Sequence, residues 1–506
     1  MIDVTALPPA PTRGRKKKSF KILLLLLGFM LFATLVDVFV FARTSLQLDE
    51  SQSLFQVSRN IPGLLNLVAQ DVHVPGYHLL LHFWILLFGS DITTARYLSI
   101  IFFVATIPVV YLLGKNVFSR RVGLFAALLI AISPFMLWYG AVARMYSMLA
   151  LVTVVHQLFF VKIYKTGKPI YWIGYFFMTI IGLYTHYFFS FVLLTEAIFY
   201  IFYRKRFPPH SFVKFLISLL IAFATFAPWL LYVYRLGLAS NDQPYLTIPS
   251  SGDLFDAYAQ FLFGFQTNGI NTFIVSLWPI LVLAAFFTLQ RKKRTTPASI
   301  FLIFMAVLPV LGAFVISLLV KPFFLSRYLI ISLPSLILIF AWVISIYPIK
   351  IQRIIQAAVV AGTLILLMIE IINPNSPIKE DYKDAVAYVS SQATAQDVIV
   401  ATAPFTIYPI EYYYQGPAAL TTQPIWNRFV SGSVPAYNPK TVVAQTNENV
   451  LNYQHAWLIL SYDQGYNTKL KNYYDSRFQL LEHKQFSPGL VVYEYKISYN
   501  KPLSIP

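Results

Sequence analysis

The sequence predicts a polytopic α-helical membrane protein with a soluble α/β domain at its C-terminal end. Of its 506 residues, 57% are hydrophobic and only 12% are charged, whereas soluble domains carry about 25% charged residues. Long apolar runs alternate with clusters of Lys and Arg along most of the chain. The apolar runs stop at the turn-rich segment Asn373-Pro374-Asn375-Ser376-Pro377, and the segment that follows is more polar.

The basic clusters fall in every second loop between the apolar runs. Loops that are rich in Lys and Arg stay on the cytoplasmic side of a membrane. The pattern therefore predicts a multi-pass protein of the plasma (inner) membrane, with a cytoplasmic N-terminus and an extracytoplasmic C-terminal domain. These loops also account for the net charge of +18, so no nucleic-acid partner is expected. The clusters lie at residues 13–18, 115–121, 162–168, 204–206, 291–294 and 350–353.

About eleven spans are predicted, because an apolar helix of about 20 residues crosses the hydrocarbon. The first is interpreted as an uncleaved signal-anchor. The apolar stretch 77–88 is too short for a span and predicts an interfacial or re-entrant helix. Counting it as a span would move Arg120 and Arg121 to the outer face. The predicted spans are 20–42, 97–114, 122–140, 145–163, 169–186, 187–203, 211–234, 271–290, 298–320, 327–347 and 353–372.

Two domains follow from this division. Residues 1–372 form the predicted transmembrane domain, whose first outer loop, 43–96, carries interfacial helices. Residues 373–506 form the predicted extracytoplasmic domain, with a helix over 379–391 and strands over 397–402, 456–462 and 490–496. This domain contains no recognisable catalytic motif, so we expect it to bind, shape or cover a substrate. The absence of cysteine excludes disulfides and thiolate chemistry.

Carboxylates and histidines cluster in the first predicted outer loop. Asp49 and Glu50 follow the first span and suit a general base or a cation ligand, or simply a solvated helix end. Asp71 and His73 stand two residues apart before Pro75-Gly76, which predicts a turn. They suit a metal, a phosphate or a sugar, or an ordinary polar turn. A divalent metal held by Asp49, Asp71 and His73 is one alternative.

Three arginines lie at predicted outer ends of spans, against the positive-inside trend. Arg96, Arg144 and Arg327 could snorkel to the interface. Their position near carboxylates instead favours capture of an anion, because a guanidinium fork matches phosphate oxygens. His186, at the outer junction of two spans, is either structural or a substrate contact. A lipid-linked phosphate would suit this face, with its tail in the bilayer, its phosphate on Arg and its sugar at a carboxylate.

In their order and spacing these motifs resemble the GT-C glycosyltransferases. The similarity is to the protein-mannosyltransferase-like group, glycosyltransferase family 39, which includes bacterial aminoarabinose transferases acting on lipid A. The C-terminal domain also resembles that of many bacterial members, through Glu380-Asp381-Tyr382 and the strand at 397–400. The matching stretches, over about residues 20–340, are Leu48-Asp49-Glu50, Asp71-Val72-His73-Val74-Pro75-Gly76-Tyr77, Leu87-Phe88-Gly89, Arg96-Tyr97-Leu98-Ser99, Arg144-Met145-Tyr146, Thr185-His186-Tyr187 and Ser326-Arg327-Tyr328.

The resemblance implies a GT-C fold, a polyprenyl-phosphate sugar donor and transfer on the outer side of the membrane. It implies no required cofactor, although members differ in metal dependence. One departure is Val142, where relatives often carry Glu two residues before the Arg of the corresponding motif. The implied roles are Asp49 as catalytic base, Glu50 and Asp71 as substrate-orienting or cation-supporting carboxylates, Arg144, Arg327, Arg96 and Tyr146 as donor-phosphate ligands, and His73, Tyr77 and His186 as substrate contacts.

The predicted function is inverting transfer of a hexosyl or pentosyl group from this donor to a hydroxyl or phosphate. The acceptor is a protein, a glycan or a lipid, and membrane lipids surround the protein. Two alternatives are a flippase or transporter of lipid-linked sugars and an inactive binding homologue. The first predicts charged or Gly/Pro-broken helices near the middle of the membrane, whereas Val142 leaves room for the second.

Overall fold

The chain is described by a computed structural model. It describes residues 13–71, 73–236, 246–267, 269–273, 276, 295–373, 375, 377–428 and 434–497. Helices dominate up to residue 372, as the apolar runs predict. They are α1 Arg13–Phe39, α2 Leu48–Val57, α3 Ile61–Ala69, α4 Pro75–Phe88, α5 Ile92–Val117, α6 Arg120–Ile132, α7 Pro134–Gly140, α8 Tyr146–Thr166, α9 Pro169–Thr185, α10 Phe189–Tyr203, α11 Ser211–Arg235, α12 Ser251–Phe263, α13 Pro297–Leu319, α14 Leu333–Ile344 and α15 Ile349–Ile372.

Within the described residues, six helices are long and apolar enough to cross a membrane, or seven if one bent pair counts as a span. That pair is α6 and α7, which meet at an angle of 59°. The predicted span 122–140 is therefore broken into two helices at Ser133. Ser133 caps a new helix by accepting the Met136 amide at 3.3 Å, and Pro134 has no N–H with which to continue the preceding one.

Other predicted spans differ in length or continuity. The predicted span 327–347 begins as a short 3-10 helix, Ser326–Ile331, and continues as α14. The predicted span 271–290 lies almost entirely outside the described residues. The multi-pass helical class is confirmed, whereas the described helices do not establish the number eleven.

Two of the basic loops meet at one end of the helical bundle. Lys165 donates through Nζ to the carbonyl of Asn116, which joins the loops after α5 and α8. Helix α5 has 26 residues, so it separates Lys115 in its last turn from Arg96 in its first by roughly 30 Å. The carboxylates near Arg96 therefore lie at the opposite end from these cations. The orientation of either end relative to the cytoplasm stays a prediction.

The short helix α4 packs very closely against the end of α9. Its start, Pro75, is the first helical residue, so Pro75-Gly76 does not form the predicted turn. A Cβ atom added to Gly76 would lie 2.3 Å from the carbonyl oxygen of Tyr184. Glycine is required here because two backbones approach one another, which is one of the roles of this residue type.

A five-stranded mixed sheet forms the centre of the C-terminal domain, in the order β2-β1-β3-β5-β4. Strand β1 is parallel to β2 and to β3, whereas β5 is antiparallel to β3 and to β4. The strands are β1 Asp397–Thr402, β2 Ala419–Gln423, β3 His455–Leu460, β4 Gln479–Ser487 and β5 Leu490–Lys496, and the helices are α16 Tyr382–Ser390, α17 Ile407–Tyr413, α18 Val442–Val450 and α19 Asn467–Arg477.

Alternate residues of β1 belong to two different hydrophobic cores. Ile399 and Ala401 belong to the core that includes residues of α16, whereas Val398 and Val400 belong to the core that includes residues of α19. Successive strand residues point to opposite faces, so an entirely apolar strand is covered on both sides. The helix at 379–391 and the strands at 397–402, 456–462 and 490–496 match α16, β1, β3 and β5.

The C-terminal domain is attached to the first outer loop by polar and aromatic contacts. The hydroxyl of Tyr413 accepts the Leu46 amide at 2.9 Å, and that of Tyr412 accepts the Ile92 amide at 3.0 Å. The guanidinium of Arg428 stacks on the ring of Phe55 at 4.5 Å. The domain therefore lies directly over the loop that carries Asp49.

Candidate active site

Asp49 is brought together with two distant arginines and a tyrosine. Its Oδ2 atom lies 3.7 Å from Nη2 of Arg327 and accepts the hydroxyl of Tyr146 at 3.3 Å. The side chains of Asp49 and Arg327 are each 33% exposed. A carboxylate and a guanidinium that face the same open space are suited to a substrate with both acidic and hydroxylic groups.

The charges around Asp49 decide its protonation. Burial alone would raise the pKa of this carboxyl. The guanidiniums of Arg327 and Arg144 and the hydroxyl of Tyr146 outweigh burial and lower the pKa below its usual value. Asp49 is therefore ionised at neutral pH and is able to accept a proton or a hydrogen bond.

Arg144 is buried and forms hydrogen bonds both with the helix that carries Asp49 and with the loop that carries His73. Its Nη1 donates to the carbonyl of Asp49 at 3.1 Å and to Oγ of Ser53 at 2.9 Å, and its Nη2 donates to Nε2 of His73. A guanidinium only donates, so Nε2 accepts and the imidazole is neutral. Burial and the Arg144 cation also hold the pKa of His73 well below its usual range.

Asp71 is held by two glutamines from α2 that the sequence analysis missed. Gln52 donates through Nε2 to its Oδ2 at 3.0 Å, and Gln56 does so at 3.2 Å. The two amides are four residues apart and so lie on one face of a helix. The four-residue spacing in the sequence could have indicated that Gln52 and Gln56 bind a common partner. Asp71 is therefore part of the wall beside His73, whose Nε2 lies 3.7 Å away.

The possible cation site at Asp49, Asp71 and His73 stays a prediction. Among the described residues, no group of three or more His, Asp or Glu side chains is placed to hold a metal ion. Nε2 of His73 accepts from Arg144, whereas its Nδ1 has no hydrogen-bond partner in this part of the chain. The independence of the reaction from cofactors stays a prediction.

Arg96 and Glu50 are paired with each other and do not face a ligand. Arg96 directs Nε and Nη2 to the Glu50 carboxylate at 2.8 and 2.5 Å, and its remaining donors reach the carbonyls of Ala42, Thr44 and Ser45. All five N–H groups are thereby used. Glu50 also accepts the amide of Ala143 at 2.8 Å. The geometry contradicts the predicted roles of Arg96 at the donor phosphate and of Glu50 at the substrate.

Three other residues were predicted to contact the substrate or the donor phosphate, and the structure places each of them. Tyr77 is fully buried and shares a hydrogen bond of 2.7 Å with Ser99, so it is not a substrate contact. The hydroxyl of Tyr146, which was predicted to bind the donor phosphate, donates to Asp49. His186 does lie in the cluster, with its ring 4.8 Å from that of Tyr328.

Glu380 is a fourth carboxyl near this site, and no role was predicted for it. It precedes α16 and comes from the segment that links the two domains. Its carboxyl lies next to the hydroxyl of Tyr462 and to the backbone of Leu48, at the start of the helix that carries Asp49. Burial raises the pKa of Glu380 to about 7, and the Asp49 and Glu50 charges add to this effect.

Glu380→Gln is expected to alter how stability depends on pH. The ordinary pKa of this carboxyl is 4.5 and burial raises it to about 7, so the folded protein binds the proton more tightly. The contribution of Glu380 to the free energy of unfolding is therefore full below pH 4.5 and is lost as the pH rises through 7. The change amounts to about 3 kcal/mol. Thermal midpoints in detergent should show the variant to be relatively more stable at pH 8 than at pH 5.

The matched control is Glu448→Gln, because Glu448 is exposed on α18. It should change the midpoint equally at both pH values. A Glu380→Gln effect that is the same at pH 5 and pH 8 would contradict the assignment.

The comparison with known proteins follows the geometry. Residues 72–232 match the family described as "Dolichyl-phosphate-mannose-protein mannosyltransferase". This segment contains His73 and Arg144 but ends well before Arg327. No curated protein sequence matches the chain.

Solved structures share the fold over nearly the whole chain. ArnT from Cupriavidus metallidurans in the apo state matches with a TM-score of 0.64 at 11% identity, over 94% of this chain and 98% of ArnT. The same protein bound to undecaprenyl phosphate matches with a TM-score of 0.60 at 12% identity, over 93% and 97%. The archaeal oligosaccharyltransferase AglB from Archaeoglobus fulgidus, in complex with an inhibitory peptide and a dolichol-phosphate, matches with a TM-score of 0.55 at 13% identity, over 97% and 75%.

At these identities the structural likeness shows the fold, which is the GT-C fold that the sequence resemblance implied. The family match adds a segment of sequence similarity that includes part of the candidate site. Together they show a multi-pass protein with the GT-C fold that is similar to ArnT over nearly its whole length.

Proposed function

We propose that the chain transfers a sugar from a polyprenyl phosphate to a hydroxyl or phosphate acceptor, with inversion of the anomeric carbon. The reaction takes place on the outer face of the plasma membrane. The observation that carries this proposal is the pair formed by Asp49 and Arg327, which are 3.7 Å apart and each one-third exposed. The neighbouring side chains of Arg144, Tyr146 and His73 are buried.

Asp49 acts as the base. An acceptor hydroxyl gives its proton to the carboxylate while the oxygen attacks the anomeric carbon of the donor. The bond from that carbon to the phosphate oxygen breaks on the opposite side, and its electron pair leaves with the polyprenyl phosphate. A well-placed general base contributes about 10²–10⁴-fold to such a reaction. With a phosphate acceptor, the same carboxylate orients the acceptor.

Arg327 receives the leaving phosphate. Its Nε atom has no hydrogen-bond acceptor within the described part of the chain, so the guanidinium keeps donors for a ligand. Arg96 has none left. Arg144 also has no acceptor for Nε among the described residues, but it directs its terminal nitrogens to Asp49, Ser53 and His73. Arg144 is therefore a positioning residue that fixes the backbone of Asp49 and adds positive potential to the site.

Donor binding would change the pKa of Asp49. Arg327 and Arg144 lower the pKa of Asp49 in the empty site. The singly charged phosphodiester of the donor beside Arg327 offsets that cation, so the pKa of Asp49 rises when the donor is bound. The carboxylate thereby becomes a better base only when there is a sugar to transfer.

The relatives support the donor class and leave the acceptor open. ArnT is described bound to undecaprenyl phosphate, and AglB with a dolichol-phosphate and an inhibitory peptide. A polyprenyl-phosphate sugar is therefore our proposed donor, with a lipid, a glycan or a protein as acceptor. Hexosyl and pentosyl donors are both included.

The proposed function is tested by the release of undecaprenyl phosphate. The full chain in proteoliposomes would be given undecaprenyl-phosphate mannose or undecaprenyl-phosphate aminoarabinose, together with envelope extract as acceptor. Mass spectrometry should detect free undecaprenyl phosphate and a glycosylated product in equal amounts. Movement of the intact donor across the bilayer without its cleavage would instead support a flippase.

Arg327→Gln is expected to weaken donor binding about 10- to 100-fold, because hydrogen bonds to charged groups are worth about 1.5–3 kcal/mol. The measurement is binding of undecaprenyl phosphate to the purified protein by native mass spectrometry. Arg59→Gln is the matched control, since Arg59 is exposed in the same loop region and should bind normally. Equal affinity of the Arg327 variant and wild type would assign the phosphate to another group.

A further inference from the structure

The carboxyl end of β3 lies near the start of the helix that carries Asp49. Helix α16 connects the two regions, because Tyr382 shares a hydrogen bond of 2.6 Å with Ser461 and the amide of Lys383 donates to Oγ of Ser45 at 3.1 Å. From β1 the chain continues to β2 on one side, and from β3 it continues to β4 and β5 on the other. The crevice between β1 and β3 is therefore a topological switch point, where open α/β sheets bind ligands at the carboxyl ends of their strands.

Both strands are followed there by residues in the left-handed region of backbone space. Ala403 has φ 52° and Tyr462 has φ 46°, although neither is glycine. Such conformations are unfavourable for residues with a Cβ atom and tend to occur at functional sites. Tyr462 is also 43% exposed, so its ring lies beside open space.

The hydroxyl of Tyr462 lies next to the carboxyl of Glu380, which is also close to the backbone of Leu48. Glu380 is only 8% exposed. Its Oε2 atom nevertheless has no hydrogen-bond partner among residues the structure describes. A buried carboxyl oxygen without a donor is unfavourable, so this atom is suited to a hydroxyl group that a ligand would supply.

The position of this oxygen links it to Asp49. Leu48 is the residue directly before Asp49, and the charge of Asp49 acts on both Glu380 and Tyr462. A pKa of about 7 allows the carboxyl to accept or donate a hydrogen bond near neutral pH. The first outer loop and the C-terminal domain thus contribute to one polar site.

We propose that Glu380, held in place by Tyr462, binds a carbohydrate hydroxyl next to Asp49, so that the C-terminal domain supplies a substrate-binding residue. This inference rests on the proposed function. The hydroxyl belongs to the donor sugar or to the acceptor, and the two sources share the same chemistry. The test separates them by the substrate whose KM changes.

The experiment measures KM and kcat of the full chain for donor and for acceptor, each varied with the other saturating. Glu380→Gln should raise one KM about 10- to 100-fold, the loss expected for one hydrogen bond to a charged group. Glu380→Asp should restore part of this loss, and Tyr462→Phe should raise the same KM by a smaller factor. Binding of undecaprenyl phosphate should be unchanged in all three, because Arg327 is intact.

Glu448→Gln is the control, because Glu448 is an exposed carboxyl on α18 of the same domain. A higher donor KM assigns the hydroxyl to the donor sugar, and a higher acceptor KM assigns it to the acceptor. If both KM values stay at the wild-type level while wild type is active, Glu380 binds no hydroxyl and the inference is wrong. If wild type itself releases no undecaprenyl phosphate from either donor, the proposed function fails, and the inference fails with it.

Discussion

Asp49→Asn is expected to reduce sugar transfer by about 10²–10⁴-fold, the usual contribution of a positioned general base. Asparagine has the same shape and retains an oxygen that can accept the Tyr146 hydroxyl, so the fold should survive. Arg327 loses its ionic partner at 3.7 Å and becomes more available to phosphate. Binding of undecaprenyl phosphate should therefore be unchanged or tighter while its release from the donor nearly stops.

The separation of binding from turnover makes this result specific. Asp91→Asn is the matched control, because Asp91 is exposed and caps α5 through Thr94, a role that asparagine also fills. It should transfer sugar at the wild-type rate. Full activity of the Asp49 variant would show that another group accepts the proton.

Arg96→Met is expected to destabilise the protein by about 3–5 kcal/mol, because it leaves a buried carboxylate without its partner. Glu50 is fully buried, and two of its hydrogen bonds come from Arg96. The carbonyls of residues 42, 44 and 45 would also lose their donors. The measurement is the thermal midpoint of the purified protein in detergent, with Arg59→Met as an exposed control.

A double variant tests whether the pair acts as one unit. Combining Arg96→Met with Glu50→Gln should cost less than the sum of the single changes, because neither charge is then left alone. If Arg96→Met instead keeps wild-type stability and weakens binding of undecaprenyl phosphate, the sequence-based role at the donor phosphate was right.

The helical part was predictable where one physical signal dominates. Apolar runs and basic loops predicted the multi-pass class, and the loops after α5 and α8 do meet at one end. The break at Ser133 was missed because the run from 122 to 140 is apolar on both sides of it. Pro134 alone does not reveal a bend, since prolines at 108 and 228 lie inside continuous helices.

The sheet was predicted only in its buried strands. β1 and β5 match their predicted ranges and β3 nearly does, since buried strands are apolar runs. β4 was missed because nearly all of it is exposed at the sheet edge. Its residues therefore lack the apolar pattern from which strands are predicted.

The sequence predicted which residues lie at the candidate site better than it predicted what each of them does. Asp49, His73, Arg144 and Arg327 do lie together, as their common position at one end of the spans indicates. The sequence does not specify which donors meet which carbonyls, so Arg96 was assigned to a phosphate although it is already fully paired. Glu380 was missed because it reaches Leu48 from over 300 residues away, and no local pattern records such a contact.

The close approach at Gly76 has a consequence for chains of similar fold. The short helix that starts beside His73 touches the carbonyl of Tyr184, two residues before His186. Any side chain larger than a hydrogen atom would push these two segments apart, and with them His73 and His186, whose ring centroids are 6.4 Å apart. The residue type at this single position should therefore set the spacing of the two histidines.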